Sequence, residues 1–161
     1  MIRDVQLKDI NQINDIYNYY IKNSTATFDE EIYSLENMEK KVMMISKKYP
    51  YIVFEEENNV VAFCYVNEWK SKAAYKSTVE LTVYVSPENH GKGIGYKLMD
   101  KIIEKTKDSG FVTIISCVTE GNTASDKLHN KFGFEKVSHF KKVGKKFDKW
   151  LDVIDYELIL K

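Results

Sequence analysis

The stretch Val83-Tyr84-Val85-Ser86-Pro87-Glu88-Asn89-His90-Gly91-Lys92-Gly93-Ile94-Gly95 constrains this chain more than any other. An apolar run rich in β-branched residues stops at Pro87, glycines follow at alternate positions, and Tyr96-Lys97-Leu98-Met99 opens a helical pattern. Strand, glycine loop and helix in that order set unpaired backbone amides and the positive end of a helix dipole beside residues without side chains. An anion's oxygens can then come close. The stretch reads as a phosphate cradle. Its spacing excludes two kinds of nucleotide loop. A Walker loop needs Ser or Thr where Gly93 stands, and the dinucleotide fingerprint needs Gly or Ala where Tyr96 stands.

The rest of the chain supplies strands and helices around that unit. Residues 2–7 alternate enough for an edge strand, and Ile10, Ile13, Tyr17, Tyr20 and Ile21 recur at helical spacing behind Asp9, a candidate cap. From about Ser34 a second helix carries Leu35, Met38, Val42 and Ile45 on one face. Residues 51–56 and 60–69 form a hairpin through Glu57-Asn58-Asn59, which tolerate a left-handed turn. In the strand over 77–86, Thr78, Glu80, Thr82 and Tyr84 share a polar face, with Val79, Leu81, Val83 and Val85 on a core face. The helix after the cradle ends at Ser109-Gly110, and an apolar strand over 111–118 implies a parallel crossover. A short helix over 122–132 and a hairpin of 134–143 with 150–160 complete a mixed α/β chain, expected as one domain over residues 1–161.

Lys plus Arg equals Asp plus Glu at 24 each, which argues against a nucleic-acid partner and for a small molecule. No apolar run is long enough to cross a bilayer, and Met1-Ile2-Arg3-Asp4 begins a strand pattern where a signal peptide would have a charged and then apolar region; a cytoplasmic protein is expected. Cys64 and Cys117 lie in apolar runs without metal-ligand spacing. Both are predicted to be buried, reduced thiols, and no metal is expected.

The sequence His90-Gly91-Lys92-Gly93-Ile94-Gly95 resembles the coenzyme A pyrophosphate loop of the GNAT superfamily of N-acetyltransferases, with His90 where Gln or Arg is usual. The resemblance implies acetyl-CoA as co-substrate and a single-domain α/β fold, a mixed central sheet with parallel strands splayed around the coenzyme and flanked by helices. Acetyl transfer to an amine needs a base for the amine, stabilisation of the attacked carbonyl's charge and an acid for the departing thiolate. Glu80, on the polar face leading to the cradle, is the candidate base; the face pattern equally allows it to pair with a lysine across the sheet. The segment from Asn122 to Phe134 is similar to the superfamily's second coenzyme segment, and His129 stands where a tyrosine acid is often found. As a bare sequence feature His129 also reads as a helix-surface histidine, and Asn122 as an ordinary cap. Tyr84 is the third catalytic candidate.

Trp69-Lys70, Ala74-Tyr75, the run Thr78 to Pro87, His129, Gly133-Phe134 and Trp150-Leu151-Asp152-Val153 bring the resemblance closer, to phosphinothricin N-acetyltransferase and its relatives, over nearly the whole chain. That resemblance implies acetylation of the α-amine of small amino-acid analogues such as phosphinothricin, methionine sulfoximine or methionine sulfone, by a homodimer. It assigns the coenzyme to Val83, Tyr84, Val85, the residues His90, Gly91, Lys92, Gly93, Ile94 and Gly95, Asn122 and Ser125. Phe28, Trp69, Tyr75, Tyr84 and Trp150 are expected to converge on a substrate pocket with Lys72 and Thr82. Lys72 stands where relatives often place an arginine and Ser77 where they place a bulky ring; a lysine meets carboxylate or phosphinate as a point charge. Other acceptors, a polyamine or a protein N-terminus, and a non-catalytic acyl-CoA binding module, stay open at this point. Two core cysteines would disfavour an acetyl-thiol intermediate.

Overall fold

A computed structural model describes all residues 1–161. Its strands are β1 (Ile2–Asp4), β2 (Tyr51–Glu56), β3 (Asn59–Glu68), β4 (Thr78–Val85), β5 (Thr113–Thr119), β6 (Glu135–Lys146) and β7 (Lys149–Ile159). Its helices are α1 (Ile10–Asn23), α2 (Leu35–Ser46), α3 (Ile94–Asp108) and α4 (Thr123–Lys131). The strands make a 7-stranded sheet in the order β1-β2-β3-β4-β5-β7-β6. Every neighbouring pair is antiparallel except β4 and β5, the two strands joined through α3.

Local chemistry explains the element ends. Ser34 Oγ accepts the Asn37 N–H at 3.1 Å, a side-chain cap on α2. Glu57 and Asn58 take φ of 50° and 65°, the left-handed turn that closes β2 onto β3. Asp9 does not cap α1 as expected. Its carboxylate accepts the Gln6 N–H at 2.8 Å and both terminal guanidinium nitrogens of Arg3 at 2.8 Å, so β1 ends early in a 3-10 turn over Leu7–Asp9.

Strand alternation sends side chains to both faces, and both are covered. On one face Ile52, Cys64, Val66, Val79 and Leu81 meet Leu98, Met99 and Ile102 of α3. On the other, Tyr51, Val53, Phe63 and Tyr65 meet Ile13, Tyr17 and Ile21 of α1 with Val42 and Ile45 of α2. Each such side chain, fully buried, contributes roughly 1.5–3 kcal/mol. The second face of β4 is therefore not simply polar: Tyr84 packs into that second cluster, while Glu80 and Thr82 continue beyond it. No helix is long and apolar enough to cross a membrane.

Candidate active site

β4 and β5 pair only through Thr78 with Thr113, Val79 with Ile114 and Glu80 with Ile115. Beyond Glu80 they part: β4 runs on to Val85 with β3, β5 to Thr119 with β7. The wedge between them is the floor of a cleft of about 930 Å³. Backbone along the parting edge of β4, at Val83, Tyr84 and Val85, lies on this wall.

At one end stands the glycine loop. Gly91 and Gly93 adopt φ of +78° and +74°, and a Cβ at either would meet nothing within 4 Å. The left-handed backbone thus turns the loop open-side out at the start of the 15-residue α3, where amides and dipole favour an anion. A pyrophosphate fits this cradle, and His90, Gly91, Gly93, Ile94 and Gly95 all line the cleft. Lys92 does not; its ammonium donates to Asn89 Oδ1 at 2.8 Å. His90 is turned inward. The Tyr20 hydroxyl donates to Val85 O, and His90 Nε2 lies 2.8 Å from that hydroxyl and 3.1 Å from the same carbonyl, so the ring ties the loop to the end of β4. Across the cleft Asn122 Oδ1 accepts the Ser125 N–H at 3.2 Å, capping α4, and both residues line the wall.

Glu80 sits where the strands part and is the only carboxylate on the cleft wall. It pairs with no lysine. Burial raises its pKa above the usual carboxylate value; a hydrogen bond from Cys117 Sγ, 3.4 Å from Oε1, lowers it, and the charge of Asp155 adds to the rise. Cys64 is fully buried as expected, but Cys117 is exposed on β5 and lines the cleft. The expectation of two core thiols is corrected: the splay uncovers one face of an otherwise apolar strand. Although its surface opens into the cleft, desolvation by the surrounding wall, then the charges of Glu80 and Asp155, push the Cys117 thiol far above its ordinary value and make it a poor nucleophile.

His129 is 4 % exposed, not a surface histidine. Its Nδ1 lies 2.6 Å from Ser125 O, so that nitrogen carries the proton; Nε2, 2.7 Å from Ser116 Oγ, accepts the hydroxyl. Burial holds its pKa below the usual histidine value, and the ring stacks on Tyr156 at 5.1 Å. Both ring nitrogens are occupied and the ring is neutral, an arrangement with no free proton for a thiolate. Service as the acid would require the ring to take a second proton on Nε2, against the Ser116 hydroxyl. Tyr84 donates to Ala26 O at 3.3 Å, and burial raises its phenol pKa well above the ordinary value, so it stays protonated as part of the wall.

The far end of the cleft is lined by Phe28, Tyr17, Lys41, Tyr65, Asn67 and Thr82. Of the aromatic residues expected to converge, Phe28 and Tyr84 line the cleft. Trp69 and Tyr75 pack edge to face at 5.3 Å with the Lys70 ammonium 4.5 Å from the indole, a self-contained cluster outside the cleft lining; Lys72 and Trp150 also lie outside it, Trp150 being 60 % exposed. Lys146 is buried: its ammonium donates to Ser24 O at 2.7 Å and Thr27 O at 2.8 Å and fastens the β6–β7 hairpin to the segment after α1. Lys41 is not among the site residues read from the sequence, and Cys117 reads there only as a core thiol. Lys41 stands at i+3 from Met38 and i−4 from Ile45, so its place beside the buried stripe of α2 was the available signal.

Comparison with known proteins fits this geometry. The acetyltransferase (GNAT) domain family matches residues 2–154. The chain is 32% identical over 161 residues, 99% of its length and 94% of the relative's, to L-methionine sulfoximine/L-methionine sulfone acetyltransferase of Pseudomonas aeruginosa. It is similar to a GNAT superfamily phosphinothricin acetyltransferase from Sinorhizobium meliloti solved in complex with acetyl-CoA, with TM-score 0.96, 31% identity and coverage of 99% and 88% of the two chains. It is also similar to ribosomal-protein-alanine N-acetyltransferase from Brucella melitensis, with TM-score 0.97, 31% identity and 99% of each chain covered.

Proposed function

The chain belongs to the GNAT family of acetyltransferases, and from this we propose that it acetylates the α-amine of a small amino acid or amino-acid analogue by direct transfer, with Glu80 as base. Acetyl-CoA is the co-substrate and brings an acetyl group activated as a thioester. The loop Gly91, Gly93, Ile94 and Gly95 receives its pyrophosphate, while the freed edge of β4 and Asn122 receive the arm. Glu80 takes the proton of the incoming amine. The observation that carries this reading is its position: the sole carboxylate of the cleft, at the point where β4 and β5 part, with a pKa raised by burial toward the range of a useful base.

The acceptor class rests on the Pseudomonas relative, named for methionine sulfoximine and methionine sulfone. A protein N-terminus is the second reading, favoured by the name of the Brucella structure. Thiol release from acetyl-CoA decides between them, measured with phosphinothricin, methionine sulfoximine, methionine sulfone, a polyamine and a peptide with N-terminal alanine. Turnover of an amino-acid analogue is the expected result; turnover of the peptide alone moves the acceptor to a protein, and silence across the panel with coenzyme still bound leaves a binding module. The reading includes a homodimer, supported by the exposed apolar side chains Phe140, Val143, Phe147 and Trp150 on the β6–β7 hairpin and tested by sedimentation.

A further inference from the structure

The cleft wall carries one carboxylate, Glu80, and among its lysines and arginines one cation, Lys41. Lys41 projects from α2 with its ammonium 5.0 Å from the ring centroid of Tyr17 and 5.1 Å from that of Tyr33. It takes part in no salt bridge. The neighbouring carboxylate, Asp29, accepts the Tyr17 hydroxyl. Two aromatic faces attract a cation without accepting its N–H groups as a carboxylate would, so the charge is held in place with donors to spare. Burial lowers the Lys41 pKa and the charge of Asp29 opposes that, the state of an ammonium that an arriving anion would stabilise.

Position ties the cation to the chemistry. Asn67 is the register partner of Glu80 across β3 and β4, and Asn67 and Lys41 together line both the cleft and the recess that opens from it under α2. Lys41 thus shares its part of the wall with the strand partner of Glu80. The other lysines considered for an anion are unsuited: Lys72, Lys92 and Lys146 lie outside the cleft lining, and two of the three Lys146 donors go to Ser24 O and Thr27 O.

We propose that Lys41 receives the α-carboxylate of the acceptor while Glu80 faces its α-amine, so that a free amino acid is recognised by both of its charged ends. This rests on the amino-acid reading above and deepens it. A polyamine brings only positive charge to Lys41, and in a peptide the first residue's carboxyl is spent in an amide. Both are disfavoured by the same contact, whereas variation in the side chain of a free amino acid is not. Acetylation removes the amine's charge, so the product keeps the Lys41 contact and loses the one to Glu80, which favours its release.

The test compares methionine sulfone with its carboxamide, which share amine and side chain and differ in the anion, in wild type, Lys41→Met and Lys41→Arg. Wild type prefers the acid. Lys41→Met raises KM for the acid about 10- to 100-fold, as for a lost charge-assisted bond, and leaves KM for the carboxamide and for acetyl-CoA unchanged, so the preference collapses. Lys41→Arg restores part of it. A folded Lys41→Met enzyme that keeps the preference overturns the proposal with the acceptor class intact, as does a wild type that uses both compounds equally well. If Lys41→Met does not fold, the wild-type ratio and Lys41→Arg still decide. If wild type acetylates neither compound and no other free amino acid, the acceptor reading itself falls and this inference with it.

Discussion

Cys117 stands with its sulfur 3.4 Å from Oε1 of Glu80 and donates its S–H to the one carboxylate on the cleft wall. The bond opposes the burial that raises the Glu80 pKa. A base acts only when deprotonated, so kcat/KM falls as pH drops through that raised value. Removing the thiol in Cys117→Ala moves this acid limb to higher pH by roughly half a unit, since a hydrogen bond of about 1 kcal/mol corresponds to about 0.7 unit and a thiol is a weak donor. Cys117→Ser moves it back. Both variants retain turnover, because a thiol flanked by Glu80 and Asp155 is not the nucleophile of a two-step transfer. Profiles of kcat/KM against pH check the first expectation. Loss of all activity in Cys117→Ala would defeat the second.

Glu80→Gln separates chemistry from fold. We expect kcat to fall about 10²- to 10⁴-fold, the range for loss of a positioned base, with acetyl-CoA binding unchanged by calorimetry. Stability moves the other way. With the folded pKa above the unfolded one, this group's contribution is fully present below the unfolded carboxylate pKa and is lost as pH rises through the folded value. A neutral isostere lifts that cost, so the variant's Tm at neutral pH is at or above that of wild type.

Much of this site is legible in the sequence because it rests on local rules. The glycines before α3 and the alternation that puts Glu80, Thr82 and Tyr84 on one face follow from spacing alone. Cys117 was hidden for a tertiary reason. Ile114-Ile115-Ser116-Cys117-Val118 is an apolar run that reads as buried on both faces, and only the parting of β4 from β5 uncovers one of them. Lys41 was hidden by its chemistry, since a lysine beside an apolar helix stripe is usually solvated and the Tyr17 and Tyr33 rings that hold it come from outside α2. The aromatic residues of the 69–75 loop and Trp150 lie outside the cleft lining, a placement that depends on long-range contacts. Nothing in their spacing tells a cleft wall from a surface cluster.

His129 makes stability fall in mild acid. Its folded pKa lies below the ordinary value of 6.5, so the unfolded chain binds the proton first and stability is lost as pH drops from about 6.5 toward the folded value. Protonation places a donor on Nε2 against the Ser116 hydroxyl, which must turn to accept. Urea titrations at pH 7.5 and 5.5 measure the loss, and His129→Gln removes this part of it. The same substitution leaves kcat within a fewfold of wild type, because the ring has no free proton to give. A large drop in kcat confined to low pH, where the wild-type ring can hold a second proton, would restore His129 as the acid.

Two glycines distinguish the ends of the cleft. At Gly144 in β6, a Cβ would stand 2.3 Å from Cε2 of Phe28 and 2.8 Å from two further ring atoms, so an alanine there must drive the ring off its seat. Phe28 is 40 % exposed and lines the cleft, so the ring has room to move, and the stability cost of Gly144→Ala stays near the low end of the roughly 1–3 kcal/mol seen for overpacking. What changes is the wall the acceptor meets, so KM for the amine rises severalfold while KM for acetyl-CoA holds. Gly91→Ala does the reverse. Its Cβ meets nothing within 4 Å, but the φ of +78° costs a non-glycine residue about 1 kcal/mol, and relaxing that strain withdraws the loop amides from the pyrophosphate. KM for acetyl-CoA then rises with the amine's KM unchanged. Paired steady-state measurements on the two variants resolve the cleft into a coenzyme end and an acceptor end; if both constants rose together in both variants, the two-ended reading of the cleft would be wrong.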